Sequence, residues 1–340
     1  MKELLKSRRN YFFLFLLAIA LLFFFPSLGA AAQPIELKLG HCNPATESDP
    51  YDMTARKFGS FIEKYTNGKY KVNVFPNNQL GSEREMVKNL TMGSMDLAVI
   101  TNAVIGAFVS ANMALDLPFI FPEREVAHAV LDGPVGEVLL SKLEKLQIKG
   151  LAFSEGGFRH MINNARPINT PEDTKGIKFR VMQTPIYIGM FQALGSNAVP
   201  MPWGEVYTAV QQKVIDGLEI PIPVIYTSKY YEIVKYLSLT SHTYSPLIVM
   251  CAEQRWKKLS ASDKESFKRA AQEAARYERN AMKDIVGSSL QKIKDGGMIV
   301  NEVPNKKPFQ EAVKSLYKKF EGEIGKDFLE SVIKARDARP

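Results

Sequence analysis

Apolar and polar positions alternate over Ile35–Gly40 and again over Tyr70–Phe75, the period of half-buried strands. Between them, residues 51–65 place Met53, Phe58 and Ile62 on one helical side, and Asn67-Gly68 supplies the turn that follows. Residues 82–92 carry a second helical pattern, and Asp96–Ile100 reads as a buried strand. Later strands are expected at Gly150–Phe153, Ile177–Val181, Gly217–Ile220 and Leu247–Ala252. Helices and strands alternating at this pace predict an α/β fold with mostly parallel pairing.

One helical pattern is longer than the others. Ser262-Asp-Lys-Glu265 fits a capping box, and apolar residues recur from Phe267 to Ile285 before Gly296-Gly297 stops the pattern. About 33 residues rising about 1.5 Å each would reach roughly 50 Å, more than one small lobe needs. The pattern is either one helix across two lobes or two helices broken near Gly287-Ser288.

The N-terminus has a different texture. Lys2, Lys6, Arg8 and Arg9 precede an unbroken apolar run from Tyr11 to Phe25, which Pro26 and Gly29 interrupt before Ala30-Ala31-Ala32. Basic, apolar and small residues in that order predict a secretory signal peptide over residues 1–32, cleaved after Ala32. The run is too short for an ordinary membrane span, which needs about 20 apolar residues. The rest of the chain, residues 33–340, suits two lobes. The net charge of +8 includes four basic residues and one acidic residue in that leader, so +5 remains without it. A mild positive charge attracts anions. It forms no Lys/Arg stripe with interleaved aromatics, which excludes nucleic acid as the expected partner. Cys42 and Cys251 are expected as buried free thiols, with a disulfide the alternative.

Catalytic signatures are absent from the sequence. His41, His128, His160 and His242 belong to no zinc motif, and no nucleophile elbow, dinucleotide fingerprint or phosphate loop occurs. Glu83 and Glu85 sit in helix-like sequence and read as solvated. The expectation is a binding protein, not an enzyme, with no cofactor and no metal.

The chemistry concentrates between Gly156 and Pro221. Gly156-Gly157-Phe-Arg159-His160 follows an apolar strand, and Lys178-Phe-Arg180-Val ends a second one. Ligands of open α/β sheets sit beyond the carboxyl ends of strands. Two guanidinium groups there would bind a carboxylate through both oxygens and stay charged when dry. Structural ion pairing of either arginine is the alternative.

These motifs resemble the substrate-binding subunits of TRAP (tripartite ATP-independent periplasmic) transporters. The resemblance rests on Lys175-Gly-Ile-Lys-Phe-Arg-Val, on Leu194-Gly-Ser-Asn-Ala-Val-Pro-Met-Pro-Trp-Gly-Glu-Val-Tyr, and on Asp216-Gly-Leu-Glu-Ile-Pro221. Asn78-Gln-Leu-Gly-Ser-Glu83, Gly93-Ser-Met-Asp96 and Leu117-Pro-Phe119 extend it to the N-terminal half. It implies a two-lobed periplasmic binding fold, each lobe a mixed sheet flanked by helices, that closes on its ligand, with a long helix shared by both lobes. The expected lobes are 33–156 with 246–285, and 157–245 with 286–340. The partners implied are a small organic anion and the small and large membrane subunits of the transporter. A ligand-sensing periplasmic receptor is the alternative role, and a sulfonate the alternative ligand.

By the same resemblance Arg180 holds the ligand carboxylate and Arg159 assists. Trp203 lines the pocket, with polar contacts expected from Cys42, Asn43, Thr101, Asn102 and His242. Two positions depart from the family pattern. Ile220 stands where many members carry an Asn, which replaces an amide by an alkyl group. Apolar burial contributes about 25 cal/mol per Å², so Ile220 favours a ligand with an apolar part. A compact mono- or dicarboxylate is therefore expected over a sialic-type sugar, with Tyr187, Tyr226 and Tyr244 as further aromatic walls. Lys213 replaces a small residue, either as a surface change or as a second positive charge.

Overall fold

The computed structural model describes residues 33–338, so the expected signal peptide lies outside the described residues. Nine strands form one hydrogen-bonded sheet. They are β1 (Ile35–Gly40), β2 (Tyr70–Phe75), β3 (Leu97–Thr101), β4 (Ile148–Asn163), β5 (Lys178–Val181), β6 (Asn197–Pro200), β7 (Gly217–Pro221), β8 (Tyr236–Ala252) and β9 (Ile299–Glu302). The order is β2-β1-β3-β8-β4-β7-β5-β6, with β9 beside β8. Strands β1, β2 and β3 pair in parallel, as do β5, β6 and β7, and β9 with β8. The pairings of β8 with β3, and of β4 with β7 and β8, are antiparallel. The mixed sheet and its flanking helices are the α/β two-lobed architecture expected.

The largest departure from the hydrophobic pattern lies in the middle of this sheet. The short segments expected at 150–153 and 247–252 belong to strands of 16 and 17 residues. These pair with each other from Ile148↔Ala252 to Asn163↔Tyr236, with register shifts at Gly150/Ala152, Glu155/Gly157 and Arg159/Met161. Their middle sections bury Ser154, Glu155, Arg159, Thr240, His242 and Ser245, so no apolar alternation reveals them. Gly157 has φ +100, a conformation that favours glycine, at the second of these bulges.

Helix signals are local and translate more directly. Asp49 accepts from the N–H groups of Tyr51 and Asp52 and caps Pro50–Tyr65, with proline at the first helical position. Ser82 and Glu85 form a full capping box on Glu83–Met92. The long pattern is one helix, Ala261–Asp295, about 52 Å at 1.5 Å per residue. Its cap is Ser260, two residues before the one expected. Gly287 lies within it with open space around it and does not break it. This helix packs on Pro50–Tyr65, on β4 and on Ile222–Thr227, which joins both halves of the sheet along one side.

The main apolar core runs from Leu37 and Phe58 through Val249 and Phe267 to Phe191 and Phe320. A smaller one gathers Val206, Leu218, Ile220, Ile225, Leu237 and Ile293. Cys42 and Cys251 are buried free thiols. Among the described residues no helix is long and apolar enough to cross a membrane.

Candidate functional site

A partly open pocket, with about 380 Å³ of empty space that includes open solvent, lies where β1, β5 and β7 deliver their carboxyl ends and β4 and β8 cross them. Cys42 and Asn43 reach it just after β1, Arg180 from β5, Ile220 and Pro221 from the end of β7, and Arg159 and Ser245 from the long strands. Tyr51, Glu83, Gly156, Met182, Trp203 and Val224 complete the wall. A cleft of about 390 Å³ adjoins it and shares Glu83, Arg180, Met182 and Trp203, with Arg84 and Gln183 on its outer rim.

The two arginines are buried alike and bonded differently. Arg159 donates from Nε and Nη2 to the carboxylate of Glu219, from Nη2 to the Glu219 carbonyl (2.6 Å), and from Nη1 to Ser245 Oγ (3.3 Å). Burial alone would pull its pKa down, but the charge of Glu219 outweighs burial and raises it. Burial would push Glu219 up, and the charge of Arg159 with hydrogen bonds from His242 and Arg159 holds it low instead. Among the described residues Arg180 has no carboxylate in ion-pair contact. Its Nε and Nη2 donate to the Met201 carbonyl at 2.9 and 2.7 Å. Its Nη1 is buried without a partner, and burial lowers its pKa. The guanidinium lies 5.8 Å from the Trp203 ring, within cation–π range.

Glu83 is the carboxyl on the cavity wall. The sequence reading placed it in solvent, and the fold buries it to 9 % exposure. It is the first residue of its helix, turned inward, and its Oε1 accepts the Thr101 N–H at 2.9 Å. Burial raises its pKa to about 7, against the hydrogen bond from Thr101 and the charge of Arg180. Asp49 lies just behind Asn43, accepts from Asn43 Nδ2 and Thr227 Oγ1 at 2.9 Å each, and is raised by burial to about 6.

Of the residues expected here, the structure brings together Arg180, Arg159, Trp203, Ile220, Cys42 and Asn43 on one wall. Thr101, Asn102 and His242 lie behind it. Thr101 supports Glu83 and sits 3.4 Å from Ser245 Oγ. Asn102 is tied to Asn112 by two bonds of 2.9 Å. His242 sits between Thr240 (2.8 Å) and Glu219 (3.3 Å), and burial lowers its pKa. The extra aromatic walls are elsewhere. Tyr187 bonds Thr243, Tyr226 stacks on Tyr231, and Tyr244 packs against Phe121 and Phe158. Lys213 is exposed at φ +58 just past the helix Trp203–Gln211. Tyr51, Met182, Val224 and Ser245 reach the wall without any sequence signal. Glu83 had one, its place at the start of a helix directly after Gly81-Ser82.

The remaining histidines are engaged structurally. His41 pairs with Asp52, His128 with Glu155, and His160 Nδ1 accepts from Ser241 N–H. Among the described residues no group of His, Cys, Asp and Glu is arranged to hold a metal.

Comparison with known proteins gives a consistent picture. The family model for bacterial extracellular solute-binding protein, family 7, matches residues 40–323. The C4-dicarboxylate-binding periplasmic protein of Rhodobacter capsulatus is 35 % identical over 272 residues, 80 % of this chain and 81 % of that one. A TRAP periplasmic solute-binding protein from Polaromonas, bound to D-erythronate, is 36 % identical with a TM-score of 0.85, covering 88 % of this chain and 98 % of that one. A TRAP periplasmic solute-binding protein from Bordetella, with density fitted as pantoate, is 37 % identical with a TM-score of 0.85 over 90 % of this chain and all of that one.

Proposed function

The chain belongs to family 7 of the bacterial extracellular solute-binding proteins, the binding components of TRAP transporters, and from that premise we propose that it captures a compact organic acid through Arg180. The observation that carries this reading is the buried, unpartnered Nη1 of Arg180 at the cavity wall. A buried cation with an unmet donor is costly, and a carboxylate oxygen supplies both charge and acceptor. Arg159 adds shape and polarity, while Glu219 cancels its charge. Ile220, Val224, Met182 and Trp203 give the cavity an apolar side, which suits a short carbon skeleton. Relatives that hold erythronate and pantoate support a ligand of that size.

The role is binding and delivery, not turnover. Residues 1–32 act as a cleaved export signal in this reading, and the loaded protein hands its ligand to the small and large membrane subunits for ion-gradient-driven uptake. In this reading the lobes are 33–156 with 246–285 and 157–245 with 286–340, and the register shifts of β4 and β8 are the candidate hinge between them. Calorimetry of the mature protein against a panel of short organic acids and their sulfonate isosteres tests this. The expected result is binding of carboxylates, with sulfonates at least about tenfold weaker and no product formed. A panel in which no carboxylate binds sinks the reading.

A further inference from the structure

Asp49 is fully buried, and its two oxygens have separate partners. Oδ1 accepts the Tyr51 and Asp52 N–H groups at 2.9 and 3.3 Å, which caps Pro50–Tyr65 at the point where Tyr51 joins the pocket wall. Oδ2 accepts from Asn43 Nδ2 and from Thr227 Oγ1 at 2.9 Å each. Asn43 lines the pocket too. Thr227 ends the short helix Ile222–Thr227, whose Val224 lines it as well. One carboxylate therefore ties together three segments of the wall without being on the wall itself.

The segments belong to different parts of the molecule. Pro50–Tyr65 packs mainly on the long helix and β2, and its Phe58 and Ile62 lie in the main apolar core. Ile222–Thr227 packs on the long helix, β4 and β7, and its Ile222 and Ile225 lie in the smaller core. In the proposed division Asp49 falls in the first lobe and Thr227 in the second, so their hydrogen bond crosses the cleft. Arg84 crosses it as well, donating from Nη2 to the Gln183 carbonyl. That side chain is only half-buried and lies at the outer rim, where water competes for it. At Asp49 the acceptor is buried, and a hydroxyl that donates to a buried carboxylate makes one of the stronger hydrogen bonds.

Separating the lobes would take Thr227 from Asp49. The cap and the Asn43 bond lie within the first lobe and would stay. An interaction made in one of two states stabilises that state alone. We propose that Asp49 and Thr227 form a clasp across the cleft that holds the closed form and thereby sets how long the bound acid stays. The inference rests on the two-lobed binding reading. Asp49 and Thr227 are positioning residues that act on the ligand through Asn43, Tyr51 and Val224.

Thr227→Val removes the hydroxyl and keeps the shape, and Thr227→Ser keeps the hydroxyl and removes the methyl group. Stopped-flow measurements at pH 8, above the Asp49 pKa of about 6, use the tightest-binding acid from a panel of short carboxylates that includes D-erythronate and pantoate. Thr227→Val is expected to release the acid at least about fivefold faster, with the association rate within about twofold of the parent. Thr227→Ser is expected to return release to within about twofold. The urea midpoint of the ligand-free protein is expected to be the same in all three, because the open form does not contain the bond. If Thr227→Val fails to fold, Thr227→Ala carries the same comparison. Parent-like release from a folded variant without the hydroxyl overturns the clasp and leaves the Arg180 reading intact. So does a drop in the ligand-free urea midpoint that Thr227→Ser restores, since the bond would then be present before any acid binds. If no carboxylate of the panel binds the parent protein, the proposed function falls and takes the inference with it.

Discussion

Arg159 and Arg180 stand on β4 and β5, on either side of β7, and both are nearly fully buried. The strand between them supplies a carboxylate to one and not to the other. Glu219 turns to Arg159 and closes an ion pair that Ser245 and His242 complete from β8. Arg180 receives only a backbone carbonyl. A buried charge with its counter-charge built in is a structural element. A buried charge without one is a binding site that waits for its counter-ion. The same residue type, at the same depth in the same sheet, therefore does two different jobs, and the partner decides which.

The sharpest way to break this contrast is Arg180→Ala. Its removal deletes an uncompensated buried charge and leaves only the Met201 carbonyl short of a donor. Calorimetry is expected to show organic-acid binding weakened at least about 100-fold, roughly 3 kcal/mol. The melting temperature of the free protein is expected to stay nearly unchanged. Unimpaired binding would remove Arg180 from the site.

Glu219→Gln acts on the other half of the comparison. It preserves shape but strands the Arg159 charge, so a stability loss of about 3–5 kcal/mol is expected, read as a lower urea midpoint. Breaking this pair also turns Arg159 into a second free cation, and affinity for dicarboxylates is expected to rise relative to monocarboxylates. A urea midpoint within error of the parent protein would show that the pair is not structural.

The smallest expected effect is on pH dependence, through Glu83. Its folded pKa of about 7 lies above the ordinary value near 4.5, so the folded state holds a proton that the unfolded chain has already released. Stability is therefore lost as the pH rises from about 4.5 through 7, by up to roughly 3 kcal/mol from this group. Asp49, raised to about 6, and Asp116, raised to about 7, slope in the same direction. Urea melts at pH 5 and pH 8 are expected to show the drop, and Glu83→Gln to reduce it. A variant with the parent's full slope would mean that Glu83 titrates normally.

Much of this was legible in the chain. Helix caps are written within four residues, and so Asp49, Ser82 and the Gly296 stop can be read almost directly. The strand end that carries Arg180 could be placed by its flanking glycine and apolar run, whereas Arg159, expected just past a strand, lies inside β4, which runs on to Asn163. The long strands β4 and β8 could not be read whole, because their central residues are polar and buried together. Glu83 was misread for a related reason. A glutamate at the start of a helix is solvated unless another element covers it, and β3 and β5 do so from residues 97–101 and 178–181.

The sequence by itself determined the alternation of strands and helices, the long helical pattern from Ser262 to Gly296, and an arginine near the end of a short strand at Arg180, because each depends on neighbours along the chain. Only the tertiary structure decided which arginine is neutralised and which is left for a ligand. That choice is made by Glu219 lying 60 residues from Arg159 and by Met201 lying 21 residues from Arg180, and a charge is paired or free according to what stands beside it in space.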